Sequence, residues 1–156
     1  MDSLRSKDVR LEQMMPIIRE KLAAGHTVKF CPRGISMLPM LRQGIDSVVL
    51  SQAPSTLKKY DIPLYQRDDG HYVLHRVVKV RDTYTCIGDN QFELEHGVRH
   101  GQVIAVVSAF YRGEEYHSVT EPRYRCYAKL RHYSRPLRHL WRRGKGWLKR
   151  HLLIKK

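Results

Sequence analysis

Short β-leaning runs separated by turn residues fill residues 27–111, and this pattern constrains the fold more than any other feature. The runs lie at 27–31, 46–51, 62–66, 72–80, 83–87 and 103–111. Turns such as Asp68-Asp69-Gly70 and Gly88-Asp89-Asn90 separate them. Helical patterns do not interrupt the series, so crossovers between parallel strands are disfavoured. The sequence therefore predicts a mainly β protein with an antiparallel core.

Apolar residues recur at helical spacing before this core. The recurring residues are Leu11, Met14, Met15, Ile18 and Leu22. They predict a short helix over 11–24, with Gly25 as its stop. Pro16 is unfavourable inside a helix, so we expect the helix to start near Glu12, with the proline in or near its first turn.

A second helical region follows the core. Residues 124–133 predict one helix, and Pro136 could open another. The apolar stripe of that second helix comprises Leu137, Leu140, Trp141, Leu148 and Leu152. We therefore divide the chain into an N-terminal helical segment (1–25), a β domain (26–121) and a basic amphipathic helical tail (122–156).

Charge is concentrated in that tail. The 156-residue chain has a formal net charge of +14, but residues 1–121 hold 16 basic and 15 acidic side chains, whereas 122–156 hold 13 basic and none that is acidic. A basic nucleic-acid-binding fold spread over the whole chain is thus excluded. For the tail, docking on an anionic membrane surface is favoured. Packing of its apolar stripe on the β core and nucleic-acid binding are the alternatives.

Other sequence signals bound the setting of the protein. No apolar run has the roughly 18–20 residues of a membrane-spanning helix, and the N-terminus does not resemble a secretory signal. Cys31, Cys86 and Cys126 are odd in number and far apart, which argues against a disulfide scaffold or a zinc ribbon. The pairs His71/His75 and His96/His100 lack further ligands, so we expect no metal and no cofactor. We expect a cytoplasmic protein, attached to a membrane surface if at all.

Three polar residues stand in distinctive local frames. Ser36 lies in a turn-forming segment, His75 falls within an apolar strand, and Asp89 lies in a Gly-Asp-Asn turn. A serine becomes nucleophilic when an imidazole takes its proton, and a carboxylate on the other ring nitrogen fixes the tautomer of that imidazole. From the residues alone, a turn serine, a half-buried histidine and a turn aspartate without shared chemistry remain the favoured interpretation.

Three short motifs resemble those of a known family. The segment 34–40, Gly-Ile-Ser-Met-Leu-Pro-Met, resembles the Ser-Met-x-Pro box of type I signal peptidases and of the wider superfamily of LexA-like self-cleaving proteins. Residues 73–78 resemble the His-Arg-Val box and residues 87–90 the Gly-Asp-Asn box, in the same order. Histidine at position 75, where other members place lysine, resembles the archaeal and endoplasmic-reticulum type.

The resemblance implies a signal-peptidase/LexA-like antiparallel β core, with residues 26–121 as the catalytic domain of a serine endopeptidase. It implies that Ser36 is the nucleophile, His75 the general base and Asp89 the orienting acid. The oxyanion and substrate-binding positions would be Gly34, Ile35, Met37 and Pro39. Asp61 lies in a strand frame similar to the family's and is interpreted as structural.

The implied substrate is an extended peptide that is similar to a signal peptide or a leader. Membrane-spanning segments typical of signal peptidases are not visible in this sequence. One alternative is a catalytically idle β scaffold whose basic tail acts as a membrane-surface or nucleic-acid adaptor. Another alternative is self-processing, as in LexA-like relatives.

Overall fold

The computed structural model describes the backbone of residues 2–141 and the side chains of residues 11–141. Within this part the chain is mainly antiparallel β, with helices before and after the strands. The helices are α1 (Asp2–Ala23) and α2 (Pro122–Tyr133), and a single 3₁₀ turn spans His100–Gln102. The strands are β1 (Val28–Phe30), β2 (Ser47–Gln52), β3 (Pro63–Gln66), β4 (Tyr72–Leu74), β5 (Arg76–Val80), β6 (Tyr84–Ile87), β7 (Glu95–Val98), β8 (Val103–Arg112) and β9 (Glu115–Ser118).

Two sheets contain these strands. The larger has the order β1-β2-β8-β3-β4, with β9 paired to β8, and the smaller has the order β5-β6-β7. The pairings described are antiparallel, so the predicted mainly β, antiparallel class is confirmed. The long strand β8 joins the two halves of the larger sheet by pairing with both β2 and β3. Strands β1 and β4 are left at its two ends.

The run 72–80, predicted as one strand, is divided between the two sheets. Strand β4 pairs with β3 and strand β5 pairs with β6, so the chain changes sheet at His75. The loop before β3 pairs with β5 instead: the backbone N–H of Tyr60 donates to the carbonyl of Val77 (2.8 Å), and the N–H of Val77 donates to the carbonyl of Asp61 (2.8 Å). A residue at such a junction can face the space between the sheets, which is where a site can form.

Helix α1 begins earlier than the sequence predicts. Pro16 lies inside it rather than in its first turn, so the expected start near Glu12 was wrong. An interior proline costs about 3 kcal/mol. Burial of Met15, Ile18 and Leu22 in the main apolar core offsets that cost. The predicted stop is confirmed, because Gly25 has φ +79° and the N–H of His26 donates to the carbonyl of Lys21 (2.9 Å).

The helical region after the strands packs on the β body through one face. Tyr124 and Ala128 of α2 are buried, and a further helical stretch covers residues 135–141, with Pro136 in its first turn. The predicted stripe residues Leu148 and Leu152 lie outside the described residues. Over residues 2–141, no helix is both long and apolar enough to cross a bilayer. The three cysteines are free thiols.

Candidate functional site

A groove of about 570 Å³ opens between the two end strands of the larger sheet. One wall contains Lys29 and Phe30 of β1, and the other contains Tyr72 and Leu74 of β4. Residues of α1 and of the 31–44 segment also line it, as do Leu64, Arg67, His75 and Gln91. Among the described residues, β1 pairs with β2 alone and β4 pairs with β3 alone, so each strand has one edge whose backbone groups form no strand pairing.

Four of the predicted site residues line the groove. They are Gly34, Ser36, Met37 and His75. The other predicted binding residues lie elsewhere: Ile35 is 60% exposed, and Pro39 lines a separate cavity beside Phe110. The binding role predicted for Ile35 and Pro39 stays a prediction, because their absence from the lining of this groove does not test it. A turn around Ser36 sends successive side chains in different directions, so a contiguous motif does not become a contiguous wall.

The loop around Ser36 is fixed against the Gly-Asp-Asn turn. The N–H of Asn90 donates to the carbonyl of Ser36 (2.8 Å). A β carbon at Gly88 would lie 2.7 Å from that same carbonyl oxygen and 3.0 Å from Cβ of Ser36. Glycine at position 88 therefore permits the close approach of two segments that are far apart in the sequence.

Asp46 anchors the far end of the same loop. Its fully buried carboxylate accepts hydrogen bonds from the backbone N–H of Arg42 (2.7 Å) and of Gly113 (2.9 Å), and it pairs with the Arg42 guanidinium (2.8 Å). The hydrogen bond from Arg42 lowers the pKa of Asp46 to about 2. The loop that carries Ser36 is thus tied to the turn between β8 and β9 by a carboxylate that stays ionised.

His75 is buried at the inner end of the groove, with only 4% of its surface exposed. Its Nδ1 lies 3.3 Å from the Tyr65 hydroxyl oxygen and 3.4 Å from Oε2 of Glu95. The Tyr65 hydroxyl donates to that Glu95 oxygen (2.6 Å), and Arg67 donates to both Glu95 oxygens (2.6 Å each). Since the Tyr65 hydrogen is used on Glu95, both neighbours of Nδ1 are acceptors. The network assigns the ring proton to Nδ1 and the lone pair to Nε2.

Burial sets the protonation state of this network. Desolvation lowers the pKa of His75 from its ordinary value of 6.5 to about 4, although the charge of Glu95 opposes the shift. Burial also acts on Glu95, where it would raise the pKa, but hydrogen bonds from Arg67 and Tyr65 outweigh it and lower the pKa. At neutral pH the site therefore combines a neutral imidazole with an ionised carboxylate, as proton abstraction from a hydroxyl requires.

The depressed pKa of His75 predicts a stability that falls with acid. Between pH 6.5 and about 4 the unfolded chain binds a proton on this residue and the folded chain does not. Unfolding free energy is therefore expected to drop by about 3 kcal/mol as pH falls through that window, with no further loss from this group below it. Urea unfolding at a series of pH values measures the drop. It should shrink in His75→Gln and persist in the exposed control His26→Gln. An equal drop in His75→Gln would contradict the assignment.

The carboxylate of Asp89 hydrogen-bonds Arg76 and Tyr127 and not the ring of His75. Both of its oxygens accept hydrogen bonds from Arg76 (2.8 and 2.7 Å), and one also accepts from the Tyr127 hydroxyl (3.0 Å). Arg76 is itself 1% exposed and donates to the Tyr124 hydroxyl (2.7 Å). The orienting role predicted for Asp89 is corrected accordingly, because the carboxylate beside Nδ1 of His75 is that of Glu95. No sequence motif indicates Glu95, Tyr65 or Arg67 as site residues.

Comparison with family models, with curated proteins and with solved structures gave no match to this chain. The resemblance to signal peptidases thus rests on the three motifs themselves.

Proposed function

We propose that the protein is a serine endopeptidase in which Ser36 is the nucleophile and His75 the general base. The observation that carries the proposal is that Ser36 and His75, from segments far apart in the sequence, line the same groove. Among the described residues, the groups beside Nδ1 of His75 are the Tyr65 hydroxyl oxygen and Oε2 of Glu95, and both act as acceptors. The nitrogen that remains available to a serine hydroxyl is then Nε2, in its basic form.

The reaction follows from these groups. As Oγ of Ser36 attacks the carbonyl carbon of a peptide bond, Nε2 of His75 takes the hydroxyl proton and the ring becomes an imidazolium. The ionised Glu95 stabilises that cation. Nε2 then gives this proton to the leaving amine as the C–N bond breaks. Water attacks the acyl carbonyl while Nε2 takes a proton from it, and that proton returns to Oγ of Ser36 as the ester bond breaks and the acid is released.

Backbone donors would hold the oxyanion. Gly34, two residues before Ser36, has no side-chain hydroxyl that could donate a hydrogen bond to the oxyanion. The backbone N–H groups of the loop around Ser36 would therefore be its donors. Gly34 has φ +114°, a conformation that L side chains rarely adopt. A side chain at position 34 would therefore disturb the backbone that presents these N–H groups.

The substrate class follows from the walls of the groove. The unpaired edges of β1 and β4 suit an extended peptide, which gains main-chain hydrogen bonds by adding as a strand. The side chains of Phe30, Met37 and Leu74 offer apolar contacts on either side. This combination favours a signal-peptide-like or leader-like segment over a folded protein surface.

Cleavage of a degenerate mixture of peptides, read as new termini by mass spectrometry, tests the proposal. We expect the wild type to cut within extended apolar segments and Ser36→Ala to cut none of them. Ser108→Ala is the matched control, because Ser108 is also half-buried and its hydroxyl donates to the backbone carbonyl of Val49 in the sheet (3.3 Å). Cutting by Ser36→Ala at the wild-type rate would refute the proposal. A folded wild type that cuts nothing would favour the idle scaffold.

A further inference from the structure

The helical region after β9 has an inner face that is fixed on the β body. Tyr124 and Ala128 are buried, and the guanidinium groups of Arg131 and Arg138 donate to the carbonyl of Asp89 (2.9 and 3.3 Å). Helical hydrogen bonding continues across the turn at Ser134, whose N–H donates to Leu130 and whose carbonyl accepts from Arg138 (2.9 and 3.0 Å). Residues 122–141 therefore present a defined outer face.

That outer face is apolar and exposed. Leu130, Leu137 and Leu140 are separated by seven and three positions, so they follow one side of the helical path. Each has between 67% and 71% of its surface exposed. Tyr133 lies between them in the sequence, but its ring faces Nζ of Lys59 on the β body (5.8 Å to the ring centroid). Single exposed leucines are ordinary, but a row of them on one helix face marks a surface that another body covers.

The charge of this region indicates which kind of partner covers the outer face. Residues 122–156 contain 13 basic and no acidic side chains, and Arg123, Arg125 and Lys129 are exposed on α2. A second copy of the chain would bring two such segments together and be repelled. A nucleic acid would satisfy the charge but leave the leucine row in water. An anionic bilayer satisfies both, since acyl chains accept the leucines while headgroups accept the Lys and Arg side chains.

We propose that the outer face formed by Leu130, Leu137 and Leu140 docks on an anionic lipid surface, with the helix lying in the plane of that surface. The docking is a property of this helix and does not depend on the peptidase activity proposed above. Its inner face remains on the β body through the Arg131 and Arg138 contacts.

Co-sedimentation of the full chain with lipid vesicles tests the docking. We expect binding to vesicles of phosphatidylcholine mixed with phosphatidylglycerol, weaker binding to phosphatidylcholine alone, and a loss of affinity as salt rises. Leu137→Glu/Leu140→Glu should lower the affinity for the mixed vesicles at least about tenfold. The matched control is Ile17→Glu/Ile45→Glu, which adds the same charge at positions that are 57% and 59% exposed elsewhere and should bind like the wild type.

Several results would overturn the docking. The first is that the wild type does not bind the mixed vesicles, and the second is that the Leu137/Leu140 variant binds them as tightly as the wild type. The third is that the wild type binds a DNA duplex more tightly than the mixed vesicles and that the Leu137/Leu140 variant still binds the duplex equally well. A dimer in light scattering that only the Leu137/Leu140 variant loses would assign the face to a second copy. Ser36→Ala should bind vesicles like the wild type, so failure of the docking and failure of the proposed peptidase activity are separately visible.

Discussion

Replacement of Arg76 by methionine is expected to lower the free energy of unfolding by about 3–5 kcal/mol. The Arg76 side chain is 1% exposed, and its partner Asp89 is 2% exposed. Among the side chains of residues 11–141, removal of the guanidinium leaves the buried Asp89 carboxylate with one donor, the Tyr127 hydroxyl. It also leaves the Tyr124 hydroxyl without the guanidinium that donates to it. Chemical denaturation followed by circular dichroism measures the loss.

Two controls decide what this loss means. Arg99→Met breaks an exposed ion pair, in which the Arg99 side chain is 58% exposed and that of Asp68 is 74% exposed. It should lower the free energy of unfolding by no more than about 1 kcal/mol. The double variant Arg76→Met/Asp89→Leu removes both buried charges and should recover most of the stability lost in the single variant. If Arg76→Met costs no more than Arg99→Met, Asp89 does not depend on Arg76.

Replacement of Glu95 by glutamine is expected to lower kcat/KM for peptide cleavage by roughly 10²–10⁴-fold, with most of the change in kcat. The glutamine amide can donate to Nδ1 of His75, which would move the ring proton to Nε2 and block proton transfer from Ser36. The charge of Glu95 also raises the pKa of His75. Its removal should therefore shift the acid limb of the pH–rate profile, near pH 4 in the wild type, to still lower pH.

Glu93→Gln is the matched control for this prediction, because Glu93 is exposed two residues away and should retain wild-type cleavage. Equal kcat/KM in Glu95→Gln and the wild type would remove Glu95 from the mechanism. A fall in kcat/KM with the acid limb unmoved would point to a structural role only.

The sequence predicts the β class of this fold well and the junction at His75 poorly. Residues 72–80 alternate too little to reveal a break, since the run is apolar on both sides of His75. The run is divided because its two halves pair with different partners that are distant in the sequence. Strand β4 pairs with β3, whereas β5 pairs with β6 and with residues 60–61. Such pairing is a tertiary effect that a local pattern does not contain.

Glu95, whose carboxylate lies beside Nδ1 of His75, was not predicted as a site residue for the same reason. Strand β7 reads Glu-His-Gly-Val and has one buried residue, Val98, so it lacks the alternation that identifies a strand. No sequence pattern therefore indicated a role for Glu95, whereas Asp89 lies in a Gly-Asp-Asn turn that resembles a known motif. The structure places that turn against the loop of Ser36. The motif did not reveal that Arg76, the neighbour of His75 in the sequence, donates to both Asp89 oxygens.

The most direct test of the account is acylation of Ser36, measured by intact mass after exposure to a β-lactam or lipopeptide-type acylating inhibitor. We expect one adduct in the wild type, mapped to Ser36 by peptide sequencing. We expect no adduct in Ser36→Ala and much slower formation in His75→Ala and Glu95→Gln, with the wild-type rate kept in Glu93→Gln. Acylation of the folded wild type at another residue, or at Ser36 with equal rates in wild type and His75→Ala, would contradict it.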